Sequence, residues 1–425
     1  MNVLILGSGA REHALAGACA ASPRLGALFV APGNPGCARV ARTVPLSLTN
    51  HGRIIEFCRR EAVDLVVVGP EAPLVAGIAD ELASQGIACV GPSRAAARLE
   101  GSKGYAKDFC REFGIPTAEY RRFTNANEAK RYIRERGAPL VVKADGLAAG
   151  KGVVVADSIR EADAAVDSLL SVGGLSTAEL VIEQFLEGEE VSFFALCDGV
   201  EAVPFSCAQD HKRLGEGDTG PNTGGMGAYS PPLIMTSELN KRVMREIIRP
   251  TVRGMAQRGA PYRGVLFAGL MIDEEGPKLI EYNVRFGDPE AEVILTRLTD
   301  DLLPLLEACA KGNLRREPPA FSTEAALAVV MAAKGYPGEP VRGAQIGGLD
   351  EAESVTGVSV YQAGTRQVGD KIVSDGGRVL AITARGSSVV EAKDRAYAAV
   401  DRIDWSEGFC RRDIGWRAIR AKSKS

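Results

Sequence analysis

Short apolar runs punctuate the first hundred residues: VLIL (3–6), LFVA (28–31), DLVVV (64–68) and ACV (88–90), each followed by Gly or Pro. Continuous apolar runs of strand length read as strands buried on both faces, and the stretches between them have room for crossover helices. The pattern predicts a doubly wound parallel-sheet domain over 1–100. In such sheets a ligand sits outside the carboxyl ends of the strands. Those ends carry GSGAREH (7–13), APGNPG (31–36) and GPEAPL (69–74).

From Gly101 the texture changes. GSKGYAKDFCREFGIPTAEY (101–120) predicts a helix ended by Gly114 and Pro116, and NANEAKRYIRERG an exposed helix. PLVVKADG and GVVVA read as strands joined by a glycine-rich loop, followed by a helix (IREADAAVDSLL) and the strand ELVIEQFL (179–186). Within 187–235, two strands precede a long polar loop, DHKRLGEGDTGPNTGGMGAYSPP. Such a loop in a compact protein is usually functional or disordered. A helix near 236–258 precedes the hairpin GVLFAGLMID, EEG, PKLIEYNVRF. Beyond about 320, Gly-rich turns separate pieces such as GRVLAITA, and Ser388-x-x-Glu391 opens a helix as a capping box. The expected fold is multidomain, α/β and α+β. It comprises an N-terminal domain over 1–100, a core unit from 101–118 and 187–320, a small inserted unit over 119–186, and a C-terminal α+β domain over 321–425.

Composition works by exclusion. Lys plus Arg total 51 against 54 Asp plus Glu, a net charge of -3, which argues against a dedicated nucleic-acid or membrane-surface binder. The nine cysteines are scattered without a C-x-x-C pair, and three histidines suit no zinc site. The chain opens on a strand-like MNVLILG, and no run reaches the ~18 apolar residues of a membrane span. A cytoplasmic protein in a reducing compartment is expected, with no nucleic-acid and no membrane partner.

Chemistry first shows in LIEYNVRF, where Glu281, Asn283 and Arg285 alternate and so share one face of a strand. A carboxylate beside an amide oxygen suits Mg²⁺, which keeps positions for phosphate and water. A guanidinium one step on matches phosphate or carboxylate. An exposed polar strand face is the plainer alternative, and the oxygen-dense GDPEAE just beyond favours the metal. In KADGLAAGKGVVVA (143–156), only three residues separate Gly146 from Gly150, and Lys151 is followed by Gly152, so P-loop spacing and its hydroxyl are both missing. Because the loop joins two strands, its glycines suit a lid that turns backbone N–H groups onto phosphates. Lys143 would supply a point charge; a flexible hairpin tip is the alternative. In GSGAREH, Glu12 replaces the third glycine of a dinucleotide fingerprint, which disfavours an NAD-dependent dehydrogenase but leaves room for a single phosphate. His13, His51 and His211 have no Ser or Cys partner, and no catalytic triad is expected.

The lysine strand with its glycine-rich hairpin, the acidic strand VIEQFLEGEE and the E-x-N strand resemble the ATP-grasp fold. More narrowly, GSGAREHALA, APGNPG, VVGPEAPL, LEGSK, KADGLAAGKGV, DHKRLGEGDTGPNTGGMGAYSP, NVRFGDPE and FCRRDIGWRAI resemble the phosphoribosylamine–glycine ligase (glycinamide ribonucleotide synthetase) family, from residue 1 to about 419. The resemblance implies ATP, glycine and 5-phosphoribosylamine as substrates, glycinamide ribonucleotide, ADP and phosphate as products, and a place in purine biosynthesis. It implies Mg²⁺ or Mn²⁺ as cofactor. A monomer that hands its product to neighbouring purine-pathway enzymes is expected. Another ATP-grasp ligase, or a carboxylase using the same acyl-phosphate chemistry, is the nearest competitor.

Carried over by motif, the resemblance assigns Lys103 and Lys143 to the ATP phosphates, with Gly146, Gly150, Lys151 and Gly152 in the lid. It gives Glu183 and the backbone of Gln184, Phe185 and Leu186 to adenine, and Glu190 to the ribose. Glu281 and Asn283 become metal ligands, with Asp273 a weaker candidate on the neighbouring strand. Phosphoribosylamine falls to Gly9, Arg11, Glu12, Asn34, Glu71 and the 210–226 loop, with Lys212, Asn222, Thr223, Gly224, Gly225 and Met226. Arg285, Gly287 and Asp288 face glycine with Asp210 contributing, and Arg285, Asp210 and Lys143 are the catalytic candidates. The chain departs from the family at Ala291 and Glu292, where Thr then Gln often follow GDPE, and in a shortened segment around 171–179.

Overall fold

The structure, a computed structural model, describes residues 1–147, 152–171 and 179–422. Strands β1 (Val3–Gly7), β2 (Leu28–Pro32), β3 (Arg42–Thr43), β4 (Leu65–Val68) and β5 (Ala88–Val90) form a parallel sheet in the order β3-β2-β1-β4-β5. Leu4, Leu6, Val66 and Val68 enter one hydrophobic cluster, and Val3, Ile5, Leu65 and Val67 another. Burial on both faces is why these runs are apolar at every position. The strand order reverses between β1 and β4, so GSGAREH and GPEAPL flank the crevice where such sheets bind ligands.

The next sheet is small and antiparallel. Strands β6 (Tyr120–Phe123), β7 (Leu140–Ala144), β8 (Val153–Ala156) and β9 (Leu180–Gln184) run in the order β6-β9-β7-β8. Helices Ala126–Arg136 and Ile159–Ser171 close its own core around Phe123, Ile133, Val142 and Ile182.

The largest sheet begins with β10 (Glu189–Asp198) and β11 (Ala202–Asp210). The polar segment that follows, expected as a loop, holds a hairpin of β12 (Arg213–Gly215) and β13 (Thr219–Asn222) before β14 (Gly227–Ser230) pairs with β11. Strands β15 (Arg263–Ile272) and β16 (Pro277–Asn283) form the expected hairpin on the other side of β10. Beyond residue 320 come β17 (Ala325–Ala333), β18 (Gln345–Ile346), β19 (Val358–Gln362), β20 (Thr365–Val368), β21 (Lys371–Ser374), β22 (Arg378–Gly386) and β23 (Gly408–Phe409). Pairing of β14 with β17 carries the sheet into this region, giving β16-β15-β10-β11-β14-β17-β22-β19 with β23 on β17. No described helix is long and apolar enough to cross a membrane.

Candidate active site

Strand β16 organises the site. Gly269 on β15 opposes Glu281, but Leu270 opposes Leu279, so Ile280 is an extra residue in the ladder, a β-bulge. Leu279 and Tyr282 stay buried while Glu281 and Asn283 remain partly open. At the bulge, the Ile280 carbonyl accepts a hydrogen bond from Lys143 Nζ at 3.3 Å. Lys143 is the last residue but one of β7, and its Nζ lies 2.9 Å from Glu183 Oε1 on β9. Lys107 Nζ, from helix Lys103–Glu112, lies 2.7 Å from Glu183 Oε2. None of these three side chains is more than 5% exposed. Lys103, one helical turn before Lys107, donates to Gly146 O at 2.9 Å. Burial pulls both Lys103 and Lys107 below the ordinary lysine value.

Lys212 enters from the polar segment, pairing with Glu190 and standing 3.8 Å from Glu281 Oε1. Burial alone would lower it, but Glu190, Glu281 and Asp210 raise it above the ordinary value. Burial likewise works against Glu281, yet Lys212, Lys143, Lys103 and Arg285 hold its carboxyl below the usual range, so it is ionised. Among the described residues no group of three or more His, Cys, Asp or Glu is placed to hold a metal ion. Glu281 and Asn283 nevertheless fit Mg²⁺ in chemistry: an ionised carboxylate and an amide oxygen, with phosphate and water to complete the set.

Past β16 the cations become arginines. Arg285 Nε donates to Glu71 Oε2 at 2.8 Å and its Nη2 to Glu100 Oε1 at 3.2 Å, while Nη1 donates to the Phe286 carbonyl at 3.1 Å. Arg11 donates to that same carbonyl at 3.1 Å, drawing the turn after β1 onto this segment. Burial pushes the Glu100 carboxyl up to about 6 against the pull of Arg285. Arg378, the first residue of β22, donates to the carbonyls of Gly224 at 2.5 Å and Asp288 at 2.6 Å and pairs with Asp288 Oδ1 at 3.1 Å. Tyr336 Oη accepts from Gly224 N at 3.0 Å. Asp210 lies beside Gly225; burial and then Glu290 push its carboxyl well above the ordinary range.

The structure thus gathers Lys103, Lys143, Gly146, Glu190, Lys212 and Glu281 on one side, and Gly9, Arg11, Glu71, Asp210, Gly224, Gly225, Arg285 and Asp288 on the other, with Asn283 Oδ1 accepting from Arg285 Nη2 at 3.4 Å between them. Gly287 packs against Glu290, and Gly152 O accepts from Ala144 N at 2.7 Å just before β8. Gln184 is exposed, and Phe185 and Leu186 are half-buried, just past β9. Gly150, Lys151 and the shortened segment, apart from its ends, lie outside the described residues.

Several of the assigned residues are engaged elsewhere in the structure. Asp273 does not join Glu281 and Asn283. It lies in the β15–β16 turn, paired with Lys278 at 2.8 Å, four residues along β15 from Gly269, which opposes Glu281; at ~3.3 Å per residue that is roughly 13 Å. The Glu183 carboxylate is occupied by two ammoniums and presents no open face to adenine. Glu12, assigned to phosphoribosylamine, turns inward, accepting from Gly9 N and from Arg11 Nε and filling the space against Gly7 and Gly69. Asn34 is spent locally, donating to Ser8 O at 2.9 Å and Gln362 O at 2.7 Å and accepting from Cys37 N at 2.9 Å. Met226 is fully buried. Thr223 Oγ1 donates to Lys212 O at 2.9 Å, and Asn222 pairs with Arg213, so both shape the polar segment.

Sequence reasoning missed Lys107, Glu100, Tyr336 and Arg378. Lys107 carried a usable signal, since it repeats Lys103 at the i+4 spacing that puts both on one helix face. Arg378 is a lone guanidinium at the mouth of an apolar strand; nothing local says what it faces.

The chain matches three profiles described as phosphoribosylglycinamide synthetase: the N domain over 1–100, the ATP-grasp (A) domain over 101–291 and the C domain over 326–417. It is 58% identical over 426 residues to a phosphoribosylamine–glycine ligase of Mesorhizobium japonicum, covering 100% of both chains. A ligase of the same name from Rhizobium meliloti is 59% identical, over 99% of each chain. The crystal structure of a phosphoribosylamine–glycine ligase from Thermotoga maritima superposes with a TM-score of 0.85 at 33% identity, covering 97% of this chain and 100% of that one. The biotin carboxylase domain of a Hydrogenobacter thermophilus 2-oxoglutarate carboxylase, at 17% identity and a TM-score of 0.73 over 96% of this chain and 91% of that one, shares the fold alone. With profiles spanning most of its length and full-length relatives above half identity, the chain belongs to the phosphoribosylglycinamide synthetase family of ATP-grasp ligases.

Proposed function

We propose that the chain joins glycine to 5-phosphoribosylamine, using ATP and releasing ADP and phosphate, as a step of purine biosynthesis. The observation that carries this is the run from Glu281 to Asp288. It borders lysines suited to phosphates at one end and guanidinium forks suited to a carboxylate and a phosphorylated amine at the other.

Carboxylate oxygen is a poor leaving group, so ATP first phosphorylates glycine. The amine of phosphoribosylamine then attacks the acyl phosphate carbon, and phosphate departs. Phosphoryl transfer asks for positioning and charge neutralisation more than for a protein nucleophile, which suits a site of lysines, arginines and carboxylates. In this reading Lys103 and Lys143 hold the ATP phosphates, Lys212 borders phosphoribosylamine, and the backbone at Gln184–Leu186 meets adenine. Glu190 serves the ribose. Arg285 orients the glycine carboxylate. Asp210, whose carboxyl burial and then Glu290 push well above the ordinary range, borders the amine and the glycine. Gly9, Arg11, Glu71, Gly224 and Gly225 border phosphoribosylamine, and Gly287 and Asp288 the glycine. Glu281 and Asn283 would hold Mg²⁺ or Mn²⁺, which when bound neutralises charge on the phosphate oxygens.

The lid comprises the loop after Lys143, within a small unit over 119–186; a unit over 1–100, a core of 101–118 with 187–320 and a unit over 321–425 complete the chain. The protein acts as a cytoplasmic monomer that passes its product to neighbouring enzymes of the route. Nine free cysteines, seven of them buried, support a reducing compartment. ADP release measured with glycine and phosphoribosylamine omitted in turn tests the reaction. Full release requires both. Release supported by bicarbonate in place of glycine overturns the reading in favour of a carboxylase.

A further inference from the structure

Lys107 is a buried cation with no place in the scheme so far. Helix Lys103–Glu112 stacks Lys103 and Lys107 on one face. The first reaches the Gly146 carbonyl at the foot of the lid, and the second points into the seam beneath it. There Lys107 and Lys143 stand against one oxygen each of Glu183, at 2.7 and 2.9 Å, the Lys143 contact being an ion pair without hydrogen-bond geometry. Glu183 and Lys143 are diagonal neighbours on the antiparallel pair β7–β9, since Val141 opposes Glu183. Lys107 also donates to Thr117 Oγ1 at 2.6 Å, and that hydroxyl donates to Leu279 O at 2.6 Å, one residue before the bulge whose carbonyl holds Lys143. Two ammoniums therefore share one carboxylate in a dry seam and leave a surplus of one positive charge.

A buried carboxylate with a single cation partner spends that cation's charge. Placing a second ammonium on its other oxygen divides the carboxylate's pull and leaves Lys143 with charge to offer an anion. We propose that Lys107 is a positioning residue for ATP: by sharing Glu183 it keeps the Lys143 ammonium held at the lid but electrostatically available to the nucleotide phosphates. Lys107 itself, 3% exposed behind Glu183, touches no phosphate. The inference rests on the reading that Lys143 binds ATP phosphate, and the experiment separates the two.

Lys107→Gln keeps a hydrogen-bond donor for Glu183 and removes the charge. Expected in the full chain is an ATP dissociation constant and KM on the order of tenfold higher, with the KM values for glycine and phosphoribosylamine unchanged. Adding Glu183→Gln, which removes the carboxylate that now claims Lys143 alone, should restore most of the ATP affinity. A merely structural role predicts the opposite, with the double variant weaker than either single one. Equal rises in all three KM values, or a double variant no better than Lys107→Gln, overturn the proposal. Should Lys107→Gln melt well below the parent, the ratio of ATP affinities between the double and single variants, measured below both melting temperatures, still decides. Lys143→Met serves as the control. If it leaves ATP affinity intact, the phosphate reading of Lys143 fails; if it weakens ATP while Lys107→Gln does not, only the sharing by Lys107 fails.

Discussion

Around the lid end of β16 the cations are lysines, and beyond its far end they are arginines. Lys103, Lys143 and Lys212 are each tied by one or two contacts, to Gly146 O, to Glu183 and Ile280 O, and to Glu190 and Glu281. Arg285 spreads its donors over Glu71, Glu100 and the Phe286 carbonyl, and Arg378 over Gly224, Asp288 O and Asp288 Oδ1. An ammonium is a point charge on a flexible stem, whereas a guanidinium is a planar fork that locks several acceptors at once. On the proposed function, the lysine region offers such point charges to the nucleotide phosphates. The arginine region is a frame. It fixes three distant stretches of chain, the turns after β1 and β4 and the polar segment before β14.

The sharpest way to break this comparison is to put a lysine in the frame. Arg285→Lys keeps the charge but loses the fork, leaving a half-buried carboxylate of Glu71 or Glu100 short of a partner. Expected is a loss in kcat/KM of about a thousandfold, roughly 4 kcal/mol at about 1.36 kcal/mol per tenfold. A loss below about tenfold in steady-state assays would mean that charge alone matters there. Second in size is Glu281→Gln. It removes the ionised oxygen that four surrounding cations hold, and turnover should fall about a hundredfold. Near-normal turnover at saturating Mg²⁺ takes Glu281 out of the site. Arg378→Lys comes third, with about a tenfold rise in the KM for phosphoribosylamine and none for ATP, because its bonds brace Gly224 and Asp288 and reach no lysine of the first region. A rise in both KM values would erase the boundary between the regions.

Legibility followed how local the cause was. Strands β1 and β4 were readable because burial on both faces makes every position apolar; β3, two residues with Arg42 exposed, carries no such mark. The E-x-N-x-R face was readable from alternation. The bulge at Ile280, which decides that Lys143 has a carbonyl to hold, depends on β15 and was not. The hairpin β12–β13 was invisible for a related reason: its Gly, Thr, Pro and Asn show no alternation. Its fold is held from nearly two hundred residues away, by Arg411 donating to Arg213 O at 2.9 Å and Asp218 Oδ1 at 3.0 Å, and by Asp413 Oδ2 accepting from Gly217 N at 2.8 Å. His211 belongs to the same brace, accepting from Gly415 N at 3.1 Å. Burial lowers it to about 3, so it stays neutral. Glu12 was readable as a missing glycine, but its inward turn needed the sheet.

The smallest effect on activity, and the cleanest on the frame, is expected at Glu292. This carboxyl is wholly buried on helix Glu290–Arg297, and neither of its oxygens has a hydrogen-bond partner. An ionised carboxylate so placed would compete with Asp288 for Arg378. Burial, and then Asp288, instead push Glu292 well above its ordinary value of 4.5, so it holds its proton to higher pH than a free carboxyl and to that extent leaves the fork where the frame needs it. The unfolded chain releases that proton near 4.5. Above that pH the folded state binds more protons than the unfolded one, and stability falls as pH rises, by at most about 1.4 kcal/mol per pH unit from this group. Glu292→Gln supplies a neutral side chain of the same shape at every pH. Its activity should stay within about twofold of the parent. Its melting temperature relative to the parent should climb steadily from pH 5 to pH 8, as the parent loses what the amide never had. Melting curves that shift in parallel across that range would mean that Glu292 is ionised in the folded protein, and that the arginine region tolerates a second claimant on Arg378.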